Sequence, residues 1–216
     1  MTNRLAGALL GAAALILVPG CKEADGNEAV VSADDAEVAP VSVGGTEMDP
    51  NRSFGQNLAE AGNLTRFVAA VDAAGLSETL EGVGPYTVFA PTDDAFGALP
   101  EGTFEALTEA GGPELVNLVS YHIVPGVVTS EDLAAALDRS EGDVSLATMT
   151  GAQLTVARDG DGIVMRDSAG GTARLSQSDV IQSNGVLHVV DMVLNPGDGQ
   201  PGEGSEAMAS EAGPAG

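Results

Sequence analysis

The chain has no tryptophan, a single cysteine, a single lysine and only two Tyr and five Phe in 216 residues. A core made from it must therefore be aliphatic, built from Val, Leu, Ile and Ala. One cysteine cannot form an internal disulfide. Bases are also scarce: eight Lys and Arg face 32 Asp and Glu, for a formal net charge of −24. Phosphate backbones are bound by clustered basic surfaces, so nucleic acid is excluded as a partner. A bare anionic bilayer would repel the chain as well. The balance suits a heavily hydrated surface in a salty exterior, with capture of cations as the sharper alternative. Hydrolase signatures are missing too. There is no Gly-x-Ser-x-Gly elbow, no His-Glu-x-x-His helix and no Walker phosphate loop, and only two His are available as bases. What remains is an ordinary 44% hydrophobic content, enough for one domain with extensions.

The position of the lone cysteine is informative. Met1 to Arg4 carries a positive charge, Leu5 to Val18 is apolar, and Pro19-Gly20 follows. That order is the pattern of a secretory signal. The apolar run is too short for a bilayer, which takes about 20 residues. Cys21 directly after Val18-Pro19-Gly20 resembles the lipobox of bacterial lipoproteins, although Pro19 is unusual at its place. The resemblance implies that residues 1–20 are a signal peptide and that Cys21 is the lipid attachment residue. In such proteins the cysteine carries a diacylglycerol and usually an N-acyl chain. Several acyl chains hold where one is marginal, so contact with the membrane is expected through the anchor. Lys22 in place of Asp resembles an outer-membrane sorting context, in an envelope of two membranes.

Residues 21–48 hold seven acids without a sustained period and read as an acidic disordered tether, about 30 Å long on average. Residues 197–216 are Gly, Ala, Glu, Ser and Pro with four acids and no base, which reads as a disordered tail. The segment between them, 49–196, keeps 21 acids against six Arg, a net charge near −15.

That segment alternates helix and strand signals. Leu64, Phe67, Val68 and Val71 follow helical spacing, with Asn63 placed to cap the helix and Gly75 to end it. Tyr86 to Ala90 is a strand run that Pro91 stops. Thr92 is placed to cap a following turn that opens with Asp93 and Asp94. Tyr121 to Val124 reads as a strand before a Pro125-Gly126 turn. Thr129 and Asp132 form a capping box ahead of Leu133 and Leu137. After Gly142 the period changes to two, and Asp159 to Gly162 reads as a hairpin turn. A calcium loop there lacks a third acidic ligand and the closing Glu, so no metal or cofactor is implied.

Three segments in order resemble the fasciclin domain family. They are Thr87-Val88-Phe89-Ala90-Pro91-Thr92-Asp93-Asp94-Ala95-Phe96 with Leu99-Pro100, then Tyr121-His122-Ile123-Val124-Pro125-Gly126, then Asn184-Gly185-Val186-Leu187-His188-Val189-Val190-Asp191 with Val193 to Pro196. The resemblance covers residues 49–196. It implies an α+β fold in which a wedge of short strands packs against a layer of several helices. It makes Thr87, Phe89, Pro91, Thr92, Asn184, Gly185 and His188 structural motif positions. It also implies a non-catalytic adhesion module in the cell envelope, meeting an extracellular protein or polysaccharide. The alternative is a binder of a small hydrophobic molecule, carotenoid-like or lipid-like. In some animal members a Tyr-His pair and an Asp-plus-aliphatic step are implicated in receptor binding. Their positions here are Tyr121 and His122, and Asp179, Val180 and Ile181. Against contact roles stands the alternative that His122 and His188 are core histidines bonded to neighbours, and that Asp179 accepts backbone bonds at a strand end. If His122 is buried, the Thr92 region is its expected partner.

Overall fold

A computed structural model describes residues 41–197 apart from residues 141 and 161. Cys21, the signal segment, most of the tether and the tail lie outside the described residues. In chain order the elements are β1 (Val41–Val43), β2 (Thr46–Met48), α1 (Phe54–Leu58), α2 (Thr65–Ala73), α3 (Ser77–Glu81), β3 (Tyr86–Pro91), α4 (Asp93–Gly97), α5 (Thr103–Ala110), α6 (Pro113–Tyr121), β4 (Ile123–Pro125), α7 (Ser130–Ser140), β5 (Val144–Ala147), β6 (Gln153–Asp159), β7 (Gly162–Arg166), β8 (Thr172–Gln182) and β9 (Gly185–Val190). The class is α+β, as expected.

Seven strands form one mixed sheet in the order β4-β3-β9-β8-β7-β6-β5. β3 and β9 run parallel, and the other neighbours are antiparallel. The two edges meet where the Met149 N–H donates to the Ile123 carbonyl (2.8 Å). The strand pleat points successive side chains to opposite faces, and β3 uses both. Val88 and Ala90 enter an apolar cluster with Phe54, Phe67 and Leu187. Phe89, between them in sequence, enters a second cluster with Tyr121, Leu133, Val156 and Met165. Both cores are largely aliphatic, as the composition requires.

The β1–β2 hairpin corrects the expected start of the domain. Val43 and Met48 are 0% and 1% exposed and belong to the first core, and Gln177 donates to the Ser42 carbonyl (2.8 Å). Residues 41–48 therefore belong to the domain and not to the tether. The acidic linker composition hid a two-faced ribbon only three residues long on each side.

The α2 cap is also supplied differently. Asn63 does not cap α2; its buried Oδ1 has no hydrogen-bond partner. Asp93 of α4 reaches across instead, and its carboxylate accepts from the Arg66 N–H (2.8 Å) and the Thr65 hydroxyl (2.8 Å). A carboxylate at a helix N-terminus satisfies its free N–H groups and meets the positive end of its dipole. Thr92 caps α4 as expected, accepting from the Ala95 N–H (3.2 Å). The Thr129–Asp132 pair also forms its reciprocal bonds.

Candidate functional site

The structural motif residues act as posts between elements. Thr87 donates to the Gly126 carbonyl (2.8 Å) and accepts from the Val128 N–H (2.9 Å), fixing the loop after β4. Pro91 lies opposite Val190, and the Thr92 N–H continues that ladder by donating to the Val190 carbonyl (3.1 Å). Asn184 accepts from the Phe54 N–H (3.1 Å) and donates to the carbonyls of Leu80 and Gly82 (2.7 and 2.9 Å). One side chain thus joins α1 and the end of α3 to the turn before β9. Gly185 sits at φ 153°, where a β-carbon would overlap the Tyr86 carbonyl oxygen, so only glycine fits.

Tyr121 and His122 are 0% and 1% exposed. They support the fold from inside and present nothing to a partner. Tyr121 ends α6, and its hydroxyl donates to the Gln153 carbonyl (2.8 Å) and accepts from the Ser168 N–H (3.2 Å). Burial pushes its pKa up. His122 is the C-cap of α6, not a strand residue. Its Nδ1–H donates to the Leu118 carbonyl (2.8 Å), and its Nε2 accepts from the Leu194 N–H (3.0 Å). Those partners fix a neutral tautomer. The expected link to Thr92 is not made. The ring instead ties the end of α6 to the C-terminal Leu194, because the helix end faces that segment. Burial lowers its pKa to about 4.

His188 is likewise buried and lies flat on Phe89, ring centres 5.3 Å apart. Its Nδ1 accepts from the Asp179 N–H (3.2 Å), and its Nε2–H donates to the Val128 carbonyl (2.8 Å). Burial lowers its pKa. Asp179 occupies a register shift in β8 at φ 58°. Its carboxylate accepts from the Ser130 N–H (2.7 Å) and from the Ser130 hydroxyl. Partial burial works against its charge, but the two Ser130 donors prevail and hold its pKa below the ordinary value. Ser130, Asp179 and His188 are a hydrolase's residue types wired as a clasp. Nucleophilic catalysis needs the hydroxyl aimed at an open imidazole nitrogen. Here the hydroxyl faces the carboxylate, and both ring nitrogens are engaged.

The clasp and Thr87 hold the walls of an apolar groove of about 610 Å³. Its walls include Val83, Pro85, Val127, Ile181 and Val186, with Glu81 at the side. Val83 is 98% exposed and Val127 is 50% exposed. Of the Asp179-Val180-Ile181 step, Val180 is buried, whereas Asp179 and Ile181 are half-buried and Ile181 lines the groove. Sequence reasoning missed Val83, Val127 and Ser130. Val83 did carry a signal: a β-branched residue inside Gly82-Val83-Gly84-Pro85 has no helix or strand in which to bury itself. Among the described residues no group of three or more His, Cys, Asp or Glu is placed to hold a metal ion.

Known proteins resemble the chain in both sequence and fold. The family model of the Fasciclin domain matches residues 62–196. Protein sll1483 of Synechocystis sp. is 44% identical over 140 residues, covering 63% of this chain and 70% of that protein. Human stabilin-1 is 37% identical over 153 residues, which is 70% of this chain but only 6% of stabilin-1. Immunogenic protein MPB70 of Mycobacterium bovis is 29% identical over 190 residues, 86% of this chain and 84% of that one. The structure of a FAS1 domain pair from the insect cell adhesion molecule Fasciclin I superposes with a TM-score of 0.58 at 16% identity, over 66% of this chain and 50% of that one. The family match spans all three motifs, and the solved structure shares their fold. The chain belongs to the fasciclin domain family.

Proposed function

We propose that the chain is a non-catalytic adhesion module of the bacterial cell envelope, anchored by lipid at Cys21 and facing the periplasm or the exterior, where it binds a protein or polysaccharide surface. The carrying observation is how the polar motif residues are used. Thr87, His122, His188 and Asn184 spend their hydrogen bonds inside the fold, while the neighbouring accessible feature is an apolar groove. That arrangement suits recognition, and neither histidine keeps a ring nitrogen free to act as a base. The anchor rests on Val18-Pro19-Gly20-Cys21, and the adhesive role on the membership of Fasciclin I, a cell adhesion molecule, in the same fold.

Cell fractionation of the Cys21→Ser variant tests the anchor; the variant is expected in the soluble fraction, and sedimentation with membranes like the parent sinks it. Retention of envelope protein or polysaccharide on the immobilised full chain tests the binding role. A second reading, a small hydrophobic ligand, draws on the groove's volume, which lies in the range of about 300–1,000 Å³ that such molecules occupy. Pigment or lipid extracted from the purified protein would favour it.

A further inference from the structure

We infer that the groove walled by Val83, Val127 and Ile181 is a docking site for a basic, aliphatic stretch of a partner polypeptide. The inference rests on the adhesion reading and narrows its partner. Val83 is 98% exposed at the tip of the Gly82–Pro85 turn. Val127 is held in place opposite through its neighbours, since Thr87 bonds both Gly126 and Val128. Ile181 is fixed two residues beyond the Asp179 clasp. These walls are preorganised, which lowers the ordering cost of binding. An open groove with mostly apolar walls beside rigid polar posts has the make-up of a recognition site.

Charge selects the occupant. Glu81 is the charged residue on the groove wall, and no Lys or Arg lines it. The six Arg of the described segment are engaged elsewhere. Arg52, next to Ser53 of the groove, is turned to both oxygens of Glu60 (2.9 and 2.8 Å). Arg158, Arg166 and Arg174 pair with Asp138, Asp143 and Asp159. Arg66 lies over the Phe104 ring, and Arg139 donates to the Ala135 carbonyl. The groove thus opens on a strongly acidic domain, with four of its six Arg paired to carboxylates away from the groove. An acidic segment or a second copy of this chain would be repelled. A segment alternating Lys or Arg with Val, Ile or Leu satisfies both the apolar walls and the field.

The test uses the full chain carrying Cys21→Ser and a fluorescent, end-capped peptide of alternating Lys and Val. Equal-length Lys/Ser and Glu/Val peptides serve as controls. The Lys/Val peptide is expected to bind, and the Lys/Ser peptide more weakly by about tenfold. Val83→Ser, at a site too exposed to affect folding, and Glu81→Gln should each weaken binding several-fold. Glu109→Gln makes the same charge change away from the groove and should leave binding unchanged. Equal affinity for Lys/Val and Lys/Ser, or an equal loss from Glu109→Gln and Glu81→Gln, would reduce the effect to general electrostatics and overturn the proposal. Tighter binding of Glu/Val, or a Val83-dependent dimer in sedimentation, overturns it in favour of another occupant. If Val83→Ser keeps full retention of envelope material, the docking site falls and the adhesion reading stands. If the wild type retains none, the adhesion reading falls.

Discussion

Replacing His122 by Ala removes two hydrogen bonds from a buried site. The Leu118 carbonyl loses the Nδ1–H donor, and the Leu194 N–H loses its acceptor. Each buried orphan costs about 1–3 kcal/mol. The ring also packs near Phe67, centroids 6.0 Å apart, and that contact goes too. The variant should lose about 3–5 kcal/mol at pH 7.5. A second signature separates this cause from generic damage. The folded pKa of about 4 lies below the ordinary imidazole value of 6.5. Stability from the neutral ring is therefore complete above pH 6.5 and falls as pH drops toward 4, where the unfolded chain binds the proton first. By pH 4.5 the wild type should have lost about 2–3 kcal/mol through this one group. His188 adds to the loss in the same direction. Urea unfolding of both proteins at pH 7.5 and pH 4.5 measures both effects. The variant should start lower and fall less steeply with acid. A cost under about 1 kcal/mol at pH 7.5, or an unchanged acid slope, refutes the assignment of His122 as an internal post.

Gly185→Ala should destabilise by about 3 kcal/mol or more, because the new methyl overlaps the Tyr86 carbonyl oxygen of the parallel neighbour strand; thermal melting checks it, and an unchanged Tm would show that the turn can shift. A chain starting at Asp49 should be less stable by about 3–5 kcal/mol than one starting at Val41, since Val43 and Met48 leave the core; equal denaturation midpoints would return the hairpin to the tether. Asp179→Ala should cost about 1–3 kcal/mol by orphaning the Ser130 amide, with Asp179→Asn milder because its amide oxygen can still accept; hydrogen exchange at Ser130 should speed up in the Ala variant and hardly change in the Asn one.

The Thr92 cap and the Thr129–Asp132 box were legible because each rests on contacts within a few residues, the β3 strand because its β-branched and aromatic run is cut by a proline, and the α+β class through the family resemblance. Features set by distant partners were not. Nothing near Asn63 announces that Asp93 will cap α2. Tyr121-His122 resembles the start of a strand, yet α6 runs through Tyr121 and β4 begins only at Ile123. Helix and strand join there without a turn residue to mark the border. The candidate site divided in the same way. Ile181 was named from resemblance and does line the groove, whereas Val83 and Val127 join it there from loops distant in sequence, and Ser130 reaches Asp179 across 49 residues.

The meeting of β4 and β5 bears on the anchored display proposed above. Open strand margins are where sheet proteins recruit one another into aggregates. Here the Ile123 carbonyl is occupied by Met149, and Pro125 ends β4 without an N–H to offer. At the other margin, α7 packs over β5 and β6. Molecules fixed side by side in two dimensions collide far more often than molecules free in solution. With these groups engaged, collisions between anchored copies find less of the main sheet's margin to extend, and dense display should favour separate, intact domains.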